Sequence, residues 1–243
     1  MDWFPTDTPL IIAHRGASAD APENTLGAFR LAQEQGADGL ELDVQLTADG
    51  QVVVLHDATL DRTTSGHGRV RDLTLQQAQQ ARTADGQPIP TLHDLFTACG
   101  SQTRYNIELK EFSWRSSGLE TAVADLIRQH GLAPNCLISS FNPLLLRRAQ
   151  SVMPPQTPLA LLRASGALQY TYHFFSGQAD HPEHTLVDER YMRWANQRGY
   201  RVHVWTVDEP TTAVRLTKLG VHALITNKPR FMRDLLTAEN LIG

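Results

Sequence analysis

The 243-residue sequence has only two cysteines, Cys99 and Cys136. Two thiols cannot build a disulfide framework, and neither belongs to a C-x-x-C or mixed Cys/His metal pattern. Both are expected to be buried free thiols in a reducing compartment. A basic excess is also missing: 22 Lys and Arg against 26 Asp and Glu leave a net charge of −4, and the pI is near 6.2. That balance argues against nucleic acid as the partner. No apolar run approaches the ~18 residues needed to span a bilayer. The opening MDWFPTDTPLIIAHRG has no basic stretch ahead of a long apolar core, so no signal peptide is expected. These absences lead to the expectation of a soluble, cytoplasmic protein without a membrane anchor.

The most informative stretch is ADGLELDVQLTADGQVVVLHD, residues 37 to 57. If GLELDV is a strand, Glu41 and Asp43 project from one face, roughly 6 to 7 Å apart along it. Like charges on an apolar element are costly to bury unless a cation balances them. Hard oxygen ligands point to magnesium, calcium or manganese. Alone, an E-x-D pair is also consistent with a solvated strand face.

The rest of the chain alternates strand and helix signals. PLIIAHRG is an apolar run that breaks at His14, Arg15 and Gly16, as a buried parallel strand ends in a functional loop. Asn24 and Thr25 offer caps for a helix through LGAFRLAQEQ, closed by Gly36. TADG reads as a tight turn into VVVLHD, a direct strand-to-strand join. Residues 57–90 are polar and turn-rich, with only LTLQQAQQAR suggesting a helix, and read as a small insertion. Then follow helix TLHDLFTAC, strand RYNIELK, helix LETAVADLIRQHG, strand CLISSF, helix NPLLLRRAQSV and strand PLALLR. An irregular aromatic region comes next, with HTLV as a short strand candidate and ERYMRWANQRG as a helix. The chain ends with strand YRVHVWTV, helix EPTTAVRLTKLG, strand VHALIT and a helix after Pro229.

This alternation implies a parallel sheet with helices outside, and over this length a closed TIM-type (β/α)8 barrel. The expected organisation is one barrel domain over residues 1–243, with 57–90 inserted after the third strand. There are nine strand candidates for eight places, so either the pair around TADG or HTLV is surplus. An open doubly wound sheet is the alternative, but no G-x-G-x-x-G follows the first strand.

Polar groups fall at strand ends, where a barrel keeps its active site. His14 and Arg15 end strand one, Glu41 and Asp43 lie in strand two, and His56 ends strand three. Glu108 and Lys110 in NIELK share a face, as do His203 and Trp205 in VHVWTV. His203 is expected to be a hydrogen-bonded core group, and His67 a loop residue.

HRG, PENT with a following AF, GADGLELDV, TADG, VVVLHD with LDRTTSGHG, IPTL, NIELK, SSF, VWTV and GVHALITNKP together resemble the glycerophosphodiester phosphodiesterase family, in family order from Ile11 to Pro229. The resemblance implies a TIM barrel with a small insertion after the third-strand histidine. It also implies metal-dependent hydrolysis of glycerophosphodiesters to sn-glycerol 3-phosphate and an alcohol. The substrate is then a small molecule, and the enzyme a monomer or homodimer; a lysophospholipase D-type activity on lipids is the alternative. By motif, Glu41, Asp43 and Glu108 resemble ligands of one divalent ion. His14 and His56 resemble the catalytic acid/base pair, Arg15 and Lys110 phosphate-holding cations, and Phe141 and Trp205 apolar walls. Two positions depart from the family pattern. His93 follows IPTL where an acidic residue is common, and Asn227 stands where T-D-x-P is usual.

Overall fold

The computed structural model describes residues 3–4, 8–111, 113, 115–175 and 177–242. Among these residues nine strands form, β1 Leu10–His14, β2 Gly39–Leu46, β3 Val52–Val54, β4 Tyr105–Leu109, β5 Cys136–Ser140, β6 Leu159–Arg163, β7 Ala179–Pro182, β8 Arg201–Val204 and β9 Ala223–Thr226. Eight of them pair in parallel as a closed ring, β1-β2-β4-β5-β6-β7-β8-β9 and back to β1, and β3 pairs antiparallel with β2 outside it. This is the TIM-type barrel expected from the alternation.

The helices outside the ring are α1 Leu26–Glu34, α3 Leu92–Cys99, α4 Leu119–His130, α5 Pro143–Val152, α6 Glu189–Gln197, α7 Pro210–Lys218 and α8 Pro229–Ala238. Their starts follow local chemistry. The Thr25 side chain accepts from Ala28 N, a reciprocal box joins Thr91 and Asp94, and Asn142 accepts from Leu144 N and Leu145 N ahead of Pro143. Between β6 and β7 a 3-10 turn, Gly166–His173, takes the helix position. Its Tyr172 packs on Trp194 of α6, ring centroids 5.0 Å apart. Among the described residues, no helix is long and apolar enough to cross a membrane.

Two expectations need correction. HTLV is not a strand: His184–Leu186 is a 3-10 turn, and the sixth strand of the barrel ring is the preceding Ala179–Pro182. Its ADHP sequence carries no apolar run, because its polar groups are accommodated by neighbours. Asp180 pairs with buried Arg163, and the His181 ring stacks on His203 at 4.8 Å. His203 is indeed a core residue, yet neither of its ring nitrogens nor those of His181 has a hydrogen-bond partner.

The second correction concerns His56, which does not end a barrel strand. β2 is eight residues long and runs past the ring, where Val44–Leu46 pairs with Val52–Val54 of β3. The returning chain donates Leu55 N to the Asp43 carbonyl, 2.9 Å. His56 is thereby brought over the strand tops from outside the ring. Residues beyond it form a small apolar cluster of their own with Leu55, Leu60, Val70, Ala81 and Ile89. It includes a one-turn helix, α2 Leu75–Ala78, boxed by Thr74 and Gln77.

Inside the ring, Leu10, Ile12, Leu137, Ala160, Ala179, Ala223 and Ile225 pack with Trp3. The Trp3 indole donates to the Asn135 carbonyl, 3.0 Å, at the N-terminal mouth. That end is filled, which leaves the C-terminal mouth for a cavity.

Candidate active site

Strand register assembles the site. β1 sets His14 beside Glu41, and β2 against β4 sets Glu41 beside Asn106 and Asp43 beside Glu108. Side chains two apart on a strand share a face, so Glu41, Asp43, Glu108 and Lys110 all turn inward, with Asp43 level with Glu108. Oxygens of Glu41, Asp43 and Glu108 lie within 4.8 Å of one another. Above them is a cavity of about 270 Å³, lined by His14, Arg15, Glu41, His56, Glu108, Lys110, Phe141 and Trp205, among others. Asp43 lies beneath, fully buried. The residues singled out from the sequence therefore converge on one place.

Arg15 makes this possible by adopting an unusual backbone. Its φ is 56°, followed by Gly16 at 83°, where a Cβ would come within 2.7 Å of the Ala28 carbonyl carbon. The turn lets Arg15 N donate to Glu41 Oε2, 2.9 Å, while its guanidinium reaches Asp43 Oδ2 at 3.1 Å and Glu23 Oε1 at 2.9 Å. Lys110 Nζ lies 2.9 Å from Glu108 Oε1 and 3.4 Å from Asp43 Oδ1. Asn24 Nδ2 donates to Asp43 Oδ2, 2.9 Å.

Three buried carboxylates face two cations here. Burial, then Asp43 and Glu108 beside it, pushes the Glu41 carboxyl well above its usual range; burial and Asp43 push Glu108 up to about 7. Asp43 goes the other way: burial opposes its ionisation, but Lys110 and Arg15 hold it below the ordinary value. Asp43 Oδ1 is buried and takes no hydrogen bond. A cluster of three hard oxygen donors that outnumber the two cations beside them, one oxygen of which takes no hydrogen bond, fits a divalent metal ion.

The two histidines are oriented differently. His14 Nδ1 lies 2.8 Å from Asn227 Oδ1, and its Nε2 is 4.0 Å from Glu41 Oε2. Burial, then Arg15, lowers its pKa. His56 Nδ1 donates to the neighbouring Asp57 carboxylate, 2.6 Å. Asp57 is held down to about 2, chiefly by Arg62, whose guanidinium also donates to both oxygens of Glu23. One arginine of the 57–90 segment thus ties the His56 arm to the Arg15 arm. Phe141 and Trp205 meet edge to face, centroids 5.6 Å apart, and the Trp205 indole is anchored on the His181 carbonyl, 2.8 Å.

Several supporting residues were not singled out as functional from sequence: Glu23, Asn24, Asp57, Arg62 and Asp208. All but Asp208 sit inside the motif strings PENT, LHD and LDRTT, which was the available signal. Asp208 had none. His67 is an exposed loop residue bonded to Asp61, as expected.

A model of the glycerophosphoryl diester phosphodiesterase family matches residues 14–230. The chain is 36% identical to a glycerophosphodiester phosphodiesterase of Caldanaerobacter subterraneus, over 93% of this chain and 97% of that protein. It is 29% identical to one of Bacillus subtilis, over 92% and 85%. Among solved structures, it superposes with a TM-score of 0.82 and 28% identity on an Oleispira antarctica phosphodiesterase in complex with the product sn-glycerol-3-phosphate, covering 95% of this chain and 97% of that one. A Thermotoga maritima glycerophosphodiester phosphodiesterase gives 0.78 and 28%, over 93% and 98%. Fold and site together define a phosphodiester hydrolase built on a closed β/α barrel. Within that class the chain belongs to the glycerophosphoryl diester phosphodiesterase family.

Proposed function

We propose that the protein hydrolyses glycerophosphodiesters to sn-glycerol 3-phosphate and an alcohol, with one divalent metal ion held by Glu41, Asp43 and Glu108. The observation that carries this reading is the buried three-carboxylate cluster lying directly beside two histidines and two cations at one cavity. When bound, magnesium, calcium or manganese supplies Lewis-acid polarisation of the phosphate.

The chain's own groups do the rest. Arg15 and Lys110 hold the non-bridging phosphate oxygens and offset the charge that grows on them at the transition state. Both are pinned by carboxylates, so they are oriented before substrate arrives. His14 and His56 form the acid/base pair: one imidazole takes the proton of the attacking hydroxyl, and the other delivers a proton to the departing alkoxide. His56 donates its Nδ1 proton to Asp57, which leaves Nε2 for this exchange. Phe141 and Trp205 supply an apolar wall beside the organic part of the substrate.

The test is release of sn-glycerol 3-phosphate from a panel of soluble glycerophosphodiesters, with divalent ions and with chelator, beside His14→Ala and Glu41→Ala. Release that needs the ion and disappears in both variants is expected. Release that persists in chelator, or in either variant, overturns the assigned roles.

A further inference from the structure

Asn227, which meets His14 at the mouth of the barrel, is itself held by a carboxylate that follows the neighbouring strand. Asp208 follows β8 in the chain, Asn227 follows β9, and the two strands are neighbours. Asp208 Oδ1 accepts from the Asn227 backbone N–H at 2.8 Å and from Thr226 Oγ1 at 2.9 Å, which fixes the carboxylate. Its Oδ2 lies 2.5 Å from Asn227 Nδ2.

This contact decides which way round the amide sits. A carboxylate that takes N–H donors can only accept, so the NH2 group must face Asp208. The amide oxygen then faces His14, 2.8 Å from Nδ1. Ser18 Oγ lies 2.7 Å from the same oxygen. An amide oxygen cannot donate, so His14 must carry its proton on Nδ1, leaving Nε2 bare on the cavity side. We infer that Asn227 and Asp208 are a two-residue positioning relay that fixes His14 in the Nδ1–H tautomer and makes Nε2 its working nitrogen. The catalytic consequence rests on the proton-transfer role proposed for His14; the tautomer itself does not.

The relay predicts an effect at a distance. In Asp208→Asn, the new amide nitrogen would confront the NH2 of Asn227, two donors face to face. The Asn227 amide then turns over, presents N–H to His14 and selects the opposite tautomer. The exchanged pair, Asn227→Asp with Asp208→Asn, restores every bond. Its carboxylate, now at position 227, accepts from His14 and from the amide at position 208. The oxygen of that amide accepts in turn from the backbone N–H of position 227 and from Thr226. Asn227→Asp alone sets two carboxylates against each other.

The experiment is nitrogen-15 NMR of the imidazoles in the full chain, at a pH where the His14 ring is neutral, with kcat and KM measured on the same samples. His14→Ala assigns the resonance. The parent is expected to show a protonated Nδ1, Asp208→Asn a protonated Nε2, and the exchanged pair the parent pattern. kcat should fall roughly ten- to a hundredfold in Asp208→Asn, up to the lower end of the ~10²–10⁴ that general acid–base catalysis contributes, with KM within about twofold. The exchanged pair should recover to within about threefold of the parent. A parent tautomer that survives in a folded Asp208→Asn, or an exchanged pair no better than Asn227→Asp, overturns the relay. A shifted tautomer with kcat unchanged, where His14→Ala is still active, instead overturns the proton-transfer role of His14 and leaves the relay standing.

Discussion

At the scale of single residues, the site is a problem of holding negative charge in a dry place. Asp43 is fully buried and its Oδ2 relies on Asn24 and Arg15. Asn24 tolerates a φ of 57°, a conformation that Asn adopts more readily than most residues, and that turn aims its amide at Asp43. Asn24→Ala is expected to cost about 1.5–3 kcal/mol of stability, the range for a hydrogen bond to a charged group. Activity should fall roughly 10–100-fold, as for other groups that orient metal ligands. Chemical denaturation and kcat/KM on the same preparation check both, and a variant within twofold of the parent in activity excludes this bracing. The charged residues of the site were legible in the sequence because each sits in a short motif at or just past an apolar run, and Glu41 with Asp43 and Glu108 with Lys110 show strand spacing. Their supports were not. Asn24 reads locally as a helix cap, but Thr25 has that part, and the contact of His14 with Asn227 spans 213 positions, a distance over which no spacing rule operates.

At the scale of elements, β3 and β7 show where sequence pattern stops. The apolar run Val52–Leu55 announced a strand but not its direction. Only the pairing with β2 reveals it as an outlying antiparallel strand that delivers His56 from the side. The segment behind it acts through Arg62, which is about half exposed yet joins Asp57 to Glu23. Exposed ion pairs add little stability, a median of about 0–1 kcal/mol, whereas misplacing a reacting group by ~1 Å can cost about a hundredfold in rate. Arg62→Ala should therefore leave the melting temperature nearly unchanged and lower kcat about ten- to a hundredfold; a variant that melts early and keeps kcat would show that the segment is only structural. β7 was invisible because its ADHP sequence lacks apolar periodicity; what stabilises it is burial among β6 and β8. That leaves a measurable trace. Burial pushes His181 down to about 3 and His203 well below its usual value. Below about pH 6.5 the unfolded chain takes up protons that the folded chain refuses, so stability declines as pH falls from there toward 3, by about 1.4 kcal/mol per unit for each ring. His181→Leu, which also removes two unpartnered ring nitrogens, should flatten that decline by about 2.5 kcal/mol between pH 6 and 4, nearly two such increments, as read from urea unfolding at stepped pH. A parallel decline in both proteins would mean that protonation of His181 has no part in it.

At the scale of the whole molecule, the two mouths of the barrel have opposite tasks. The N-terminal mouth is closed by Trp3 over an apolar interior, and its side chains pack rather than react. The C-terminal mouth gathers three carboxyl groups, Glu41, Asp43 and Glu108, against two cations, Arg15 and Lys110, and this crowding is what pushes Glu41 and Glu108 above the usual carboxylate range. If the metal role proposed above holds, stability is given up at this end in exchange for affinity for a cation, and the two should vary together. A divalent ion that binds only the folded chain adds about 2.7 kcal/mol at a hundred times its dissociation constant, a rise in melting temperature of roughly 5–10 °C for a chain this long. Glu108→Gln keeps an acceptor for Lys110 while removing one of the three carboxyl groups. It should melt higher than the parent in chelator, because repulsion with Asp43 is gone, and yet gain little from added magnesium, calcium or manganese. The two effects have opposite signs, so thermal unfolding of both proteins with and without ions separates them from a general loss of packing. An equal ion-induced rise in parent and variant would mean that the cation binds outside the cluster, and the crowded carboxyl groups would then have no cation to account for them.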